Sequence, residues 1–114
     1  MPAKRLDGKS CAADLELRLK KRIAECGVEP HLAVVIVGDD PASHVYVRNK
    51  IRSCERLGIK STHIELPADT KQEEVANTIV SLNNDDSLHG ILIQSPLPSH
   101  MDEESLTDLI DPTK

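Results

Sequence analysis

Apolar positions along this chain follow two rhythms. Leu32 to Val37 and Ile91-Leu92-Ile93 are unbroken apolar runs of strand length, and Ser61 to Leu66 alternates well enough to be a strand too. Between them the apolar residues fall at helical spacing. Ala12, Leu15, Leu19, Ile23 and Cys26 form one stripe, and Val47, Ile51, Cys54 and Leu57 form a second. Val75, Ile79 and Leu82 form a third. Ile91 to Ile93 is apolar on both faces, which suits a central parallel strand.

Punctuation residues set the boundaries. Gly8-Lys9-Ser10 has the look of a phosphate loop's end, but Ala3 stands where the first glycine should be, so it reads as the entry to helix 1. Gly27 ends that helix, and Glu29-Pro30 turns the chain into the first strand. Asp40 suits an N-cap, with Pro41 at the first helical position and Gly58 just past the helix end. Pro67 and Asp69 break the second strand, and Thr70 to Glu73 has the spacing of a capping box. Asn83 to Ser87 closes helix 3. Pro96 and Pro98 must lie beyond the sheet, because proline cannot donate to a ladder. A short helix runs from Asp102 to about Ile110 and is stopped by Asp111-Pro112.

Strands alternating with helices imply right-handed crossovers and one α/β domain, a three-layer α-β-α arrangement around a mainly parallel sheet. Ligands of such sheets gather at the carboxyl ends of the strands. The Gly38–Ser43 loop, the first turns of helix 2, and Gln94 to Pro98 all reach that rim. On the helical wheel Arg48, Arg52, Glu55 and Arg56 face away from the apolar arc, whereas Ser43, Tyr46 and Lys50 fall within it. Two readings of Lys50 stand: its methylenes lie on the core with the ammonium in water, or it is a partly desolvated lysine at a cleft, suited to acid–base work. Gln94 can equally be an amide that satisfies loop backbone, and Tyr46 ordinary packing.

Composition narrows the function classes. The 114 residues carry a net charge of −5, one tyrosine, and neither Phe nor Trp, which argues against nucleic acid as a partner. Cys11, Cys26 and Cys54 show no paired spacing and are expected as small core thiols in a reducing compartment. His31, His44, His63, His89 and His100 are scattered without zinc-ligand spacing, so no metal site is expected. No apolar signal core opens the chain and no run is long enough to span a bilayer, so no membrane partner is expected and the cytoplasm is the expected location.

Several segments in order complete the picture: Leu6-Asp7-Gly8-Lys9, Val37 to Ser43, Tyr46-Val47-x-x-Lys50, Gly90 to Pro98, and Asp111-Pro112-Thr113-Lys114. Together they resemble the amino-terminal, substrate-binding domain of the bifunctional methylenetetrahydrofolate dehydrogenase/methenyltetrahydrofolate cyclohydrolases, over essentially the whole chain. The resemblance implies the amino-terminal fold type of the aminoacid dehydrogenase-like proteins. It also implies oxidation of 5,10-methylenetetrahydrofolate with NADP (NAD in some members) and hydrolysis of the methenyl product to 10-formyltetrahydrofolate.

By that resemblance the catalytic residues are Lys50, Gln94 and Tyr46: Lys50 the catalytic lysine, Gln94 its hydrogen-bonding partner, Tyr46 the platform that stacks on the folate. Ser43, Ile93, Ser95, Leu97 and Pro98 complete the folate site. Ser95 departs from the family, which usually has leucine there, so a more polar wall is expected. The chain ends before the family's Asp-x-Asp-Gly segment and its dinucleotide-binding Rossmann domain, and it contains no G-x-G-x-x-G. It is therefore expected to be the folate-binding half, residues 1–114. NADP would be held by the domain that is absent here, the isolated chain would be inactive, and the full-length protein would be a homodimer. The rival readings are a small non-catalytic α/β binding or regulatory module, and the substrate domain of a different two-domain dehydrogenase.

Overall fold

The computed structural model describes residues 2–114. Four helices and three strands alternate: α1 (Gly8–Cys26), β1 (His31–Val37), α2 (Pro41–Leu57), β2 (Lys60–Leu66), α3 (Gln72–Asn83), β3 (Gly90–Ile93) and α4 (Glu103–Asp108). All three strands are parallel, in the order β2-β1-β3. The expectation that β3 is central is therefore corrected. Among the described strands β1 holds the centre and β3 an edge, and β3 is apolar because helices cover both its faces.

Those helices divide the core in two. Ala33, Val35 and Val37 of β1 join Val75, Ile79 and Leu82 of α3, Ile91 of β3 and Leu106 of α4 on one face. Val34 and Ile36 turn the other way, with Leu32 and Leu92, onto Val47 and Ile51 of α2. Period-two alternation along β1 thus feeds both layers, and five consecutive residues, Ala33 to Val37, are all buried. Burying an aliphatic side chain such as Ile79 contributes about 1.5–3 kcal/mol.

The caps explain where the helices begin. Asp40 Oδ1 accepts from the N–H groups of Ala42 (2.9 Å) and Ser43 (3.2 Å), and Pro41 fills the first turn of α2. Gly27 and Gly58 end α1 and α2 at φ of 71° and 82°, a left-handed conformation that glycine adopts without steric cost. The capping box expected at Thr70 does not form. Lys71 is the N-cap of α3 and contributes no side-chain bond, while Thr70 is buried, its N–H bonded to the Pro67 carbonyl.

α1 stands apart. None of its residues is buried, and of the expected stripe only Leu19 and Ile23 are half-covered, with Ala12, Leu15 and Cys26 exposed. The helix leans on α2, where Arg56 Nη2 meets Glu16 Oε1 at 3.1 Å. Two of the three cysteines consequently differ from expectation: Cys54 is a core thiol, but Cys11 and Cys26 are exposed. No helix among the described residues is long and apolar enough to cross a membrane.

Candidate active site

β3 does not stop being guided when its ladder ends. The Gln94 N–H still donates to the Val35 carbonyl at 2.9 Å, so the residue after Ile93 is pinned to the central strand. Alternation then decides direction. Leu92 lies on the α2 face and Ile93 packs against the α3/α4 core, so Gln94 returns to the α2 side, where it is 8% exposed.

There it meets Lys50, which is half-buried on the third turn of α2. Lys50 Nζ donates to Gln94 Oε1 at 2.7 Å. Gln94 Nε2 in turn donates to the Ser95 carbonyl at 2.9 Å. That carbonyl also accepts from the hydroxyl of Ser43 at 3.3 Å, and Ser43 is buried. The amide orientation follows from this network: reversing it would set an NH2 against the ammonium and one carbonyl oxygen against another. The Ser95 hydroxyl donates to the Glu103 carboxylate on α4.

Four of the expected residues, Ser43, Lys50, Gln94 and Ser95, are thus joined by hydrogen bonds. Tyr46 lies one turn before Lys50 on α2 but is 57% exposed, so its inward placement on the helical wheel is corrected. Ser43 and Val47 on the same turns are buried, so the covered arc of α2 is narrower than the wheel implies and Tyr46 lies at its edge. Ile93 and Leu97 direct their side chains into the core on the far face. Pro98 borders a shallow hollow of about 230 Å³ at the carboxyl edge, shared with Val37, Gly38, Asp39, Asp40, Ala68, Pro96 and Leu97. Glu103 was not foreseen, since in the sequence it is only one acid in the Asp102-Glu103-Glu104 run that opens α4.

The neighbouring loop is fixed as well. Gly38 sits at φ +93°, where a side chain would be strained, and His44 Nε2 donates to its carbonyl at 3.3 Å. Farther along α2, burial first and the Glu55 carboxylate second push the Cys54 thiol's pKa up, which keeps it protonated and unreactive. Among the described residues no three His, Cys, Asp or Glu side chains cluster to hold a metal ion.

A layered parallel α/β domain with a sheltered lysine–carboxamide pair at its carboxyl rim has the form of a small-molecule site. The chain belongs to the tetrahydrofolate dehydrogenase/cyclohydrolase family, whose catalytic-domain model matches residues 6–114. It is 52% identical over 113 residues to the bifunctional protein FolD of Chlorobium chlorochromatii, covering 96% of this chain and 38% of that protein. It therefore spans about two fifths of the length of the curated relatives it matches.

Solved structures agree. The 5,10-methylenetetrahydrofolate dehydrogenase of the silkworm Bombyx mori superposes with a TM-score of 0.92 at 40% identity, covering 97% of this chain and 40% of the silkworm chain. The Trypanosoma brucei methylenetetrahydrofolate dehydrogenase-cyclohydrolase, solved with NADP cofactor and inhibitor, gives 0.88 at 31% identity, covering 98% and 40%.

Proposed function

We propose that this chain is the folate-binding, catalytic half of an NADP-dependent methylenetetrahydrofolate dehydrogenase and methenyltetrahydrofolate cyclohydrolase. The observation that carries the reading is the 2.7 Å bond between Lys50 and Gln94 at the sheet's carboxyl rim. A lysine held there, half-buried and tied to an amide, is poorly explained by a non-catalytic module, which needs no such pair.

Hydrolysis of the methenyl group proceeds by addition of water to an amidinium-like carbon. Lys50 as the free amine takes one proton from the water while its oxygen bonds to that carbon. The resulting hydroxyl gives its proton to solvent as the carbonyl forms, the bond to the ring nitrogen breaks, and Lys50 returns its proton to that nitrogen. The balance is one water consumed and one proton released. Gln94 Oε1 orients the lysine through the cycle without titrating itself. Tyr46 offers its exposed ring as a stacking face, with Ser43 and Ser95 bounding the polar wall and Pro98 its outer edge. Ile93 and Leu97 support that rim from the core side.

NADP is the hydride acceptor of the dehydrogenase reaction when bound, and residues 1–114 carry no dinucleotide-binding fingerprint that would cradle its pyrophosphate. The chain contains no G-x-G-x-x-G, and the β1–α2 loop offers a single glycine, Gly38. The cofactor's domain lies outside residues 1–114, and the part assigned to this chain is holding the folate in line. The full-length protein is a cytoplasmic homodimer whose partner is the soluble folate, with no nucleic acid or membrane partner.

Lys50→Met in the full-length gene product tests the reading. Hydrolysis of methenyltetrahydrofolate is expected to fall at least about 10²-fold, the usual contribution of a positioned acid–base group. Turnover near the parental rate would overturn it.

A further inference from the structure

We propose that Glu103, acting through Ser95, is a positioning residue for the Lys50–Gln94 pair. The inference rests on the catalytic reading above and concerns how the pair is held. Gln94 can present its oxygen to Lys50 only while its NH2 group has an acceptor on the other side, and that acceptor is the Ser95 carbonyl, 2.9 Å away. The Ser95 peptide is thus the mould that fixes the amide's orientation.

Residue 95 lies just beyond the last ladder bond of β3, which is made by the Gln94 N–H, so the sheet no longer fixes its carbonyl. Two side chains do. Ser43, from the first turn of α2, donates to the carbonyl itself. Glu103, from the first turn of α4, accepts from the Ser95 hydroxyl and so limits rotation of the whole residue. Three elements converge on one peptide unit that no strand holds. Of these groups Glu103 is the one that the folate-site residues do not already include. It touches neither Lys50 nor Gln94 directly, so its effect must travel through Ser95.

The test is a set of variants in the full-length gene product, with Lys50→Met as reference. Glu103→Ala is expected to lower kcat for methenyltetrahydrofolate hydrolysis by about 10-fold with KM changed less than about 2-fold, because misplacement of an acid–base group is felt in the transition state. Glu103→Gln, which keeps an oxygen to accept from Ser95, is expected to restore most of that loss. Ser95→Ala should match Glu103→Ala, and the double variant should be no worse than either single one, since both remove the same tether. Parental kcat in Glu103→Ala would overturn the proposal. So would multiplicative losses in the double variant, or a loss that appears in KM and melting temperature alone. If Lys50→Met also left hydrolysis intact, the catalytic reading itself would have failed. If Lys50→Met abolished hydrolysis while Glu103→Ala was silent, only the role of Glu103 would have failed.

Discussion

Lys50 Nζ and Gln94 Oε1 lie 2.7 Å apart although 44 residues separate them in the chain. Nothing local brings them together. One is delivered by α2, which the Asp40 cap starts at the rim, and the other by the bond from Gln94 to the central strand.

Replacing that amide discriminates between orientation and charge. Gln94→Leu removes Lys50's acceptor and should lower the hydrolysis rate of the full-length gene product by about 10²-fold. Gln94→Glu places a carboxylate beside the lysine, which favours its charged form and withdraws the free amine that must accept the water's proton. Its loss should therefore be recovered in part by raising the assay pH, whereas the Leu variant's should not. Rates of both variants from about pH 6 to about pH 9 provide the check.

Thiol labelling reads out the three cysteine environments. Cys11 and Cys26 are exposed and should alkylate in the native protein. Cys54 is buried and its pKa is raised, so it should react only after denaturant is added. Mass spectrometry after a short pulse of iodoacetamide should find two labelled sites in buffer and three in denaturant.

Acid should loosen α4 through its cap. The Ser105 hydroxyl and N–H hold the Asp102 pKa below its ordinary value. A carboxylate depressed in the folded state contributes stability in full above the unfolded value, about 3.9, and loses it as pH falls through the lower folded value. Asp102→Asn removes this titration but keeps a capping side chain. Acid melts of the two proteins should therefore run parallel above about pH 5 and diverge below about pH 4. An identical acid dependence would sink the assignment.

Much of this architecture is legible in the sequence because its signals are local. Asp40-Pro41 and Gly58 delimit α2 by cap chemistry that needs no tertiary context, and the run Leu32–Val37 declares a doubly covered strand. Strand order is a different matter. A parallel edge strand with helices on both faces carries the same apolar pattern as a central one, so β3 could not be told from β1. Thr70 shows the converse, since its spacing to Glu73 fits a capping box but burial and the His100 contact at its carbonyl draw it into the core. Family resemblance supplied the pairing of Lys50 with Gln94. It could not supply Glu103, because the bond to Ser95 spans a loop whose course no periodicity records.

The nineteen residues of α1 contribute nothing to either core cluster, and the helix rests on α2 through half-covered contacts and one exposed ion pair. Such a pair contributes at most about 1 kcal/mol. The helix should therefore peel away while the sheet beneath α2 stays intact, a low-cost opening rather than part of the global transition. Its amide hydrogens would exchange with deuterium well ahead of those of β1, dividing this small domain into a durable centre and a detachable arm.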